Sequence, residues 1–364
     1  MAVPAASTFQ PIGPRNVFIP SYDGDARARL LVEYVLNPKA FALNRYVTIQ
    51  PLNLPVGFYA KVLASDYVRV PYSAGQDAQW ADGQPSGALT NRDQGPRITN
   101  IQYELYRTKR ERNVGWLTQQ FSPFDTLKET QNMLAGIAMT YRALNVMTVA
   151  TTSANYDSTH VKTATQWGGG FLNSGTPSNP IIKTALDNIR DRIVQDSINS
   201  VKLKDLRWVM SPTAASALSR SQEIRVYLMQ QANSIKVLTG EDPDSDDNWS
   251  MPAKYNGFEI IVDPAVYTNT LVTDNSTTAT DGDLQYVWPN NTSWIGARPG
   301  ALVSESGGMN FSTVHLLEMK GQAFKVFMED MGEREKYTYT RVEDFFQPIV
   351  AAPETGALIT NMFQ

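Results

Sequence analysis

The chain has no cysteine among its 364 residues. That excludes disulfides, thiolate catalysis and Cys-based zinc or iron–sulfur sites, and it suits a protein made in a reducing cytoplasm. Histidine is nearly absent too, with only His160 and His315 present. Each reads as a packed or solvent-facing side chain, because no second histidine or paired carboxylate lies beside it in sequence, as metal binding or proton transfer would require. No unbroken run approaches the ~20 apolar residues of a membrane span. Residues 1–10 lack a basic stretch followed by an apolar one, so no signal peptide is expected and the chain reads as soluble. No repeat recurs at periods of about 20 to 50 residues, which disfavours solenoids and propellers. The 32 basic and 36 acidic residues leave a net charge of −4 with no cationic block. Tight sequence-independent binding to nucleic acid is therefore not expected, since that term depends on Lys and Arg neutralising phosphates.

Catalytic motifs are also missing. There is no Gly-x-Ser-x-Gly elbow, no phosphate-binding Gly-x-x-x-x-Gly-Lys and no Rossmann fingerprint. The triplet Gly168-Gly169-Gly170 does not open a helix after a strand, so it does not read as a phosphate cradle. Asp242, Asp244, Asp246 and Asn248 imitate the first half of an EF-hand loop. Asp247 stands where that loop needs Gly, however, and Ala253 stands where it needs the bidentate Glu, so a solvated acidic loop is the better reading. Glu343 and Asp344 read as surface neighbours. No catalytic, cofactor-binding or metal-binding residue is assigned.

What is present is an α+β pattern with long extensions. Residues 1–20 are Pro-rich and read as extended, because each Pro fixes φ and removes a donor. Residues 34–46 carry apolar side chains that could dock, with Pro38 interrupting any single helix. Two β-rich flanks, 56–72 and 98–107, enclose a polar tip rich in Gly, Asp, Gln and Pro, which reads as an arm-like hairpin. A long helix follows to about residue 150, roughly 40 Å at the standard rise. Ser122 is its expected cap, with Pro123 at the first position and Asp125 favourable to the dipole. Leu127, Leu134, Ile137, Ala138, Tyr141 and Leu144 form its expected apolar stripe.

Residues 151–179 read as a surface loop. A second helix is expected over 180–199, capped by Asn179, with Ile182, Ala185, Ile189, Ile193 and Val194 as its stripe. A strand over 206–210 breaks at Ser211-Pro212 into a helix with Ala215 and Leu218, and a helical or mixed stretch covers 223–231. The turn Tyr255-Asn256-Gly257 precedes a strand over 258–262 that Asp263-Pro264 stops. Strands at 285–288, 293–297, 313–319, 324–328 and 336–342 make the remainder β-rich.

This order of elements resembles the Hong Kong 97-type major capsid proteins of tailed bacteriophages. Leu206-Arg207-Trp208-Val209-Met210-Ser211-Pro212 with its small-residue helix, and Asn256-Gly257-Phe258-Glu259-Ile260-Ile261-Val262-Asp263, look like that family's strand-to-helix step and its central turn and strand. The resemblance implies an N-terminal arm over 1–55, an E-loop hairpin over 56–112, and a P-domain with a spine helix over 113–200. It further implies an A-domain with a central β-sheet over 201–320, then a return to the P-domain with a C-terminal tail over 321–364.

By resemblance, hexamers and pentamers of the chain would close an icosahedral head around double-stranded DNA, without sequence-specific DNA binding or catalysis. A scaffolding protein, a portal protein and a cement or decoration protein would be partners, and no membrane would be involved. Assembly would take place in the host bacterial cytoplasm and the product would be the virion. No long charged coiled-coil segment precedes the arm, so an internal scaffolding domain is not expected. No Lys lies between Lys61 and Lys109, so the hairpin tip lacks the amine that some relatives cross-link. An encapsulin-type nanocompartment shell shares this fold and remains an alternative. A β-rich hydrolase would need a convergent acid–base constellation that the chain does not offer.

Overall fold

The computed structural model describes residues 10–12, 17–19, 42–62, 98–122, 125–163, 181–198, 200–230, 249–268, 284–300, 302–303, 310–332 and 336–362. The strand Leu206–Met210 is buried at all five positions, as a central strand covered on both faces must be. Period-two alternation divides its side chains between two cores. Leu206, Trp208 and Met210 join Phe258 and Ile260 under three helices, Ile181–Asp196, Pro212–Ser219 and Gln222–Met229. Val209 faces the other way, with Ile261, Trp294 and the end of the long helix Thr126–Thr151 (Ala143, Val146, Ala150).

The sheet built on that strand has six members, in the order Val161–Thr163, Ala357–Thr360, Thr292–Ala297, Leu206–Met210, Phe258–Val262 and Lys254–Tyr255. Leu206–Met210 and Phe258–Val262 run parallel, with Trp208 opposite Ile260, so the chain crosses over between them through the two short helices. Ser211 caps the first of these by accepting from the Ala214 N–H, with Pro212 at the opening position. Ser221 caps the second in the same way from Ile224. Asn256 and Gly257, at φ 50° and 88°, make the two-residue turn between the last two strands, the conformation that favours Asn-Gly in hairpins.

A five-stranded sheet lies on the far side of the second core. Val47–Leu52 runs parallel to Val314–Met319. The latter runs antiparallel to the 14-residue strand Tyr337–Val350, which also pairs with Lys325–Asp330 and with Tyr106–Gly115. Val47–Leu52 and Val314–Met319 share this sheet, while Ala357–Thr360 sits in the six-stranded one. Chain order and spatial neighbourhood separate wherever non-local pairing decides the sheet.

Several expectations need correction. The long helix begins at Thr126 and is capped by Asp125, which accepts from the Lys128 N–H at 3.1 Å. Ser122 instead ends a separate helix, Trp116–Phe121, and Pro123 lies outside the described residues. Of the expected stripe, Leu134 and Ala138 are buried while Ile137 and Tyr141 are exposed. The buried residues are Thr126, Thr130, Leu134, Gly136, Ala138, Arg142, Ala143, Val146, Met147 and Ala150, a face that includes Arg142 with its buried partner Asp344. At 26 residues the helix is about 39 Å long at 1.5 Å per residue. By length and composition it could cross a bilayer, although no unbroken apolar run is present. Here it packs against sheet strands.

The stretch after the long helix is not only a surface loop. Tyr156 and His160 are buried and Val161–Thr163 joins the six-stranded sheet, because Trp294 donates to the Tyr156 hydroxyl at 2.8 Å. The final long strand runs on to Val350. The Pro-rich start contributes two short strands, Gln10–Ile12 and Val17–Ile19, which pair antiparallel. The hairpin tip, the glycine triplet and the acidic string 242–248 lie outside the described residues.

Candidate assembly surfaces

The hairpin is present at its base, where Val56–Val62 pairs antiparallel with Ile98–Glu104. One face of this ribbon is committed to the chain's own sheet. Tyr103 and Leu105 are buried against Leu317, with Tyr59 and Ile349 packed beside them. Gly57 sits opposite Tyr103; a Cβ there would lie 2.5 Å from the tyrosine oxygen, so a side chain at this position would displace the Tyr103 ring. Glu104 N–H donates to the Gln347 side-chain oxygen at 3.0 Å and Leu105 N–H to the Pro55 carbonyl at 2.7 Å. The arm is thus anchored at its root.

On the opposite face an exposed apolar row of one strand stands beside Gln102 and Glu104 of the other. Leu54, Val56 and Phe58, two residues apart, are 63%, 47% and 69% exposed. A second apolar ridge is the helix Trp116–Phe121, where Trp116, Leu117 and Phe121 are all exposed. It is fixed by the Trp116 N–H donating to the Lys336 carbonyl and by Gln119, which donates to the Val114 carbonyl and the Thr338 hydroxyl. On the edge strand Lys325–Asp330, Val326 and Met328 stand half-exposed. Exposed apolar side chains grouped in this way are candidate contact surfaces.

A buried charge cluster holds these surfaces at fixed positions. Arg142, on the long helix, donates through Nε and Nη2 to the two carboxylate oxygens of Asp344 at 2.5 Å each, and through Nη1 to Glu318 at 3.0 Å. Its guanidinium lies 4.1 Å from the Phe324 ring centroid and 5.3 Å from that of Phe346. Phe324 adopts φ 49° and donates its N–H to Asp344. One strand position along, Glu343 accepts from Arg107 at 2.6 Å and lies 2.7 Å from Arg341 Nε. Tyr339 donates to Glu111 across the same pair of strands. Glu343 and Asp344 are therefore buried ion-pair acceptors and not surface neighbours, because successive strand residues face opposite sides and each side supplies an arginine.

Two further polar centres escaped the sequence. Glu223 accepts from the Ile182 and Lys183 N–H groups and from the Tyr255 hydroxyl, capping helix Ile181–Asp196 from a neighbouring helix. Asp263 accepts from Tyr46, Trp288 and the Ala265 N–H; burial raises the pKa values of both Asp263 and Tyr46. A cavity of about 360 Å³ lies between Leu43, Ile49, Met139 and Phe324, with Arg142 and Glu318 also in its lining, and those two charges are already paired. Among the described residues, no three His, Cys, Asp or Glu side chains come together as a metal site.

No protein-family model and no curated protein sequence matches the chain. Solved structures do match, over nearly its whole length. The mature capsid of bacteriophage PhiM1 is similar with a TM-score of 0.54 at 12% identity, covering 99% of this chain and 98% of that one. A phage-related protein from Bordetella bronchiseptica RB50 gives 0.53 at 15% identity, covering 90% and 93%. The capsid of a native GTA particle gives 0.52 at 12% identity, covering 93% and 96%. At such identities the likeness is one of fold, and the chain has the Hong Kong 97-like capsid fold.

Proposed function

We propose that this chain is the major capsid protein of a tailed bacteriophage, assembling into hexamers and pentamers that close an icosahedral head around double-stranded DNA. The observation that carries the reading is a capsid fold, matched end to end, that leaves an anchored hairpin with an uncovered apolar row. Heterologous contacts between identical subunits close into rings when the rotation allows it. An arm that overlaps its neighbour adds buried area and main-chain pairing that one compact body cannot supply.

In this reading residues 1–55 act as the N-terminal arm and 56–112 as the E-loop. The long helix is the spine of the P-domain, and the six-stranded sheet is the centre of the A-domain. Scaffolding, portal and cement proteins are the expected partners, and the host cytoplasm is the place of assembly. The role is structural, without catalysis. The net charge of −4 suits an inner wall that does not grip DNA phosphates.

Negative-stain electron microscopy of the expressed protein, alone and with an adjacent scaffold gene product, tests the reading. Closed shells or capsomer rings support it, and deletion of residues 76–94 should then leave folded subunits that assemble poorly. A uniform small particle under all conditions overturns it. Shells that load an enzyme through a docking tail, and no DNA, would point to the nanocompartment instead.

A further inference from the structure

Two strands flank Tyr337–Val350 along the same stretch. Lys325–Asp330 and Tyr106–Gly115 both pair with residues 338–343, so they lie on opposite sides of it. Among the described residues neither has a second partner strand. Each therefore turns the backbone N–H and C=O groups of alternate residues outward. Val114 is the only buried residue on the two strands.

The two edges differ in charge. Tyr106–Gly115 carries Arg107, Lys109, Arg110 and Arg112 against one carboxylate, Glu111. Lys325–Asp330 begins with one cation, exposes Val326 and Met328, and ends in Glu329 and Asp330. Among the described residues Arg110, Glu329 and Asp330 form no ion pair; Asp330 accepts from the Gly332 N–H of its own turn. Lys109 has a half-exposed contact with Glu111 at 3.6 Å. Charge of either sign would be enough to blunt an open edge. Opposite signs do more, because a basic edge repels its own kind and attracts the carboxylates of the other edge.

Both strands run antiparallel to Tyr337–Val350 and hence in the same direction, so copies set side by side would bring the two edges together in parallel. With Val326 of one copy opposite the exposed Tyr106 of the next, Phe327 meets Arg107, Met328 meets Thr108, Glu329 meets Lys109 and Asp330 meets Arg110. The faces agree in this register. Val342 lies opposite both Val326 and Arg110 and packs with Leu134 and Ala138, which puts positions 326, 328 and 330, and 106, 108 and 110, on the side of the long helix.

We infer that the two edges are the halves of one heterologous contact. Lys325–Asp330 of one copy lies along Tyr106–Gly115 of the next, in the register that pairs Glu329 with Lys109 and Asp330 with Arg110. The sheet continues from copy to copy, and a head-to-tail contact of this kind closes into a ring when the rotation allows it. Six residues of strand span only about 20 Å, so the contact adds to the overlap of the hairpin and does not replace it. It rests on the shell reading for the neighbour being a second copy, and it names the surface on each side.

Because the chain has no cysteine, paired substitutions report the contact directly. Within one copy the two positions are two strands and four residues apart, too far for an internal disulfide. Assembled Val326→Cys/Tyr106→Cys protein, mildly oxidised, should give a ladder of covalent multimers on a non-reducing gel. Val326→Cys and Tyr106→Cys proteins assembled together should give dimers, and either alone only monomers. Charge reversal is the second arm. Glu329→Lys/Asp330→Lys and Lys109→Glu/Arg110→Glu should each lower assembly by roughly tenfold or more in light scattering. Mixing the two proteins, or combining all four changes in one chain, should restore it. Shells that carry the cysteine pair without cross-linking, shells that form normally from either charge-reversed protein, or a fourfold variant as defective as each pair would overturn the contact and leave the shell reading standing. Covalent ladders without shells would keep the contact and sink that reading, and the absence of both would remove the two together.

Discussion

The two sheets of this protein are held by different physics. Around Leu206–Met210 every strand position is buried and the large side chains are Trp208, Phe258 and Ile260; each contributes about 1.5–3 kcal/mol by leaving water. The strand Tyr337–Val350 is half-buried along most of its length, and the edge strand beside it is largely exposed. Its attachment to the long helix combines apolar contact, with Leu134 and Ala138 clustered with Val342, and the polar contacts of Arg142 with Asp344 and Glu318. The two sheets share a core, in which Val209, Ile261 and Trp294 meet Val47, Val314, Leu316 and Phe346. The second adds directional polar contacts to that core, and the elements joined to it, the hairpin row and the ridge Trp116–Phe121, leave apolar side chains exposed. A subunit that must be rigid and yet leave apolar surface for neighbours needs both kinds.

Breaking each region separately sharpens this contrast. Arg142→Met should cost about 3–5 kcal/mol in chemical denaturation, because Asp344 is left charged and buried. The double variant Arg142→Met/Asp344→Leu should recover much of that loss, since apolar residues can replace a buried pair. If the single variant is as stable as the native protein, the clamp is ornamental. Trp208→Ala should cost a comparable ~3–5 kcal/mol, but no second substitution at a polar partner should rescue it. Ser293, which only accepts from the Trp208 N–H at 2.8 Å, is the control for that statement.

Glu223→Ala should cost about 2–3 kcal/mol by stranding the two helix N–H groups and the Tyr255 hydroxyl; hydrogen exchange at Ile182 and Lys183 would rise with it. A smaller, pH-dependent effect belongs to His315. Its folded pKa of about 4 lies below the ordinary ~6.5, so the unfolded chain binds the extra proton first. Its share of stability is complete above that ordinary value and is lost as pH falls towards 4. The acid-side drop in thermal midpoint should therefore shrink in His315→Gln. Smallest for the isolated subunit is Phe58→Asp, with a change within about 0.5 kcal/mol. Light scattering should nevertheless show assembly abolished, and normal shells from this variant would remove the hairpin row from the interface.

Local rules carried far in this chain. Ser211-Pro212 starts a helix and Asn256-Gly257 turns a hairpin because their chemistry acts within a few residues. Of the stripe Ile182, Ala185, Ile189, Ile193 and Val194, the first four are buried as their spacing requires and Val194 is half-buried. The cap at Asp125 is a local miss, and the others share one cause. The buried face of the long helix includes an ion pair between residues 202 apart in sequence, and Glu343 and Asp344 looked like surface charges until their arginines arrived from elsewhere. His160 sits in a polar stretch, yet Gly356 and Asp196 enclose it.

Sequence alone therefore determined the class of elements and their order, and through that order the capsid fold. It also excluded cysteine chemistry, which is purely compositional. Only tertiary structure decided which charges are buried, which helix face turns inward and which apolar rows stay uncovered. Those outcomes rest on partners hundreds of residues away, and a buried charge or an exposed phenylalanine is defined by what the rest of the chain brings to it.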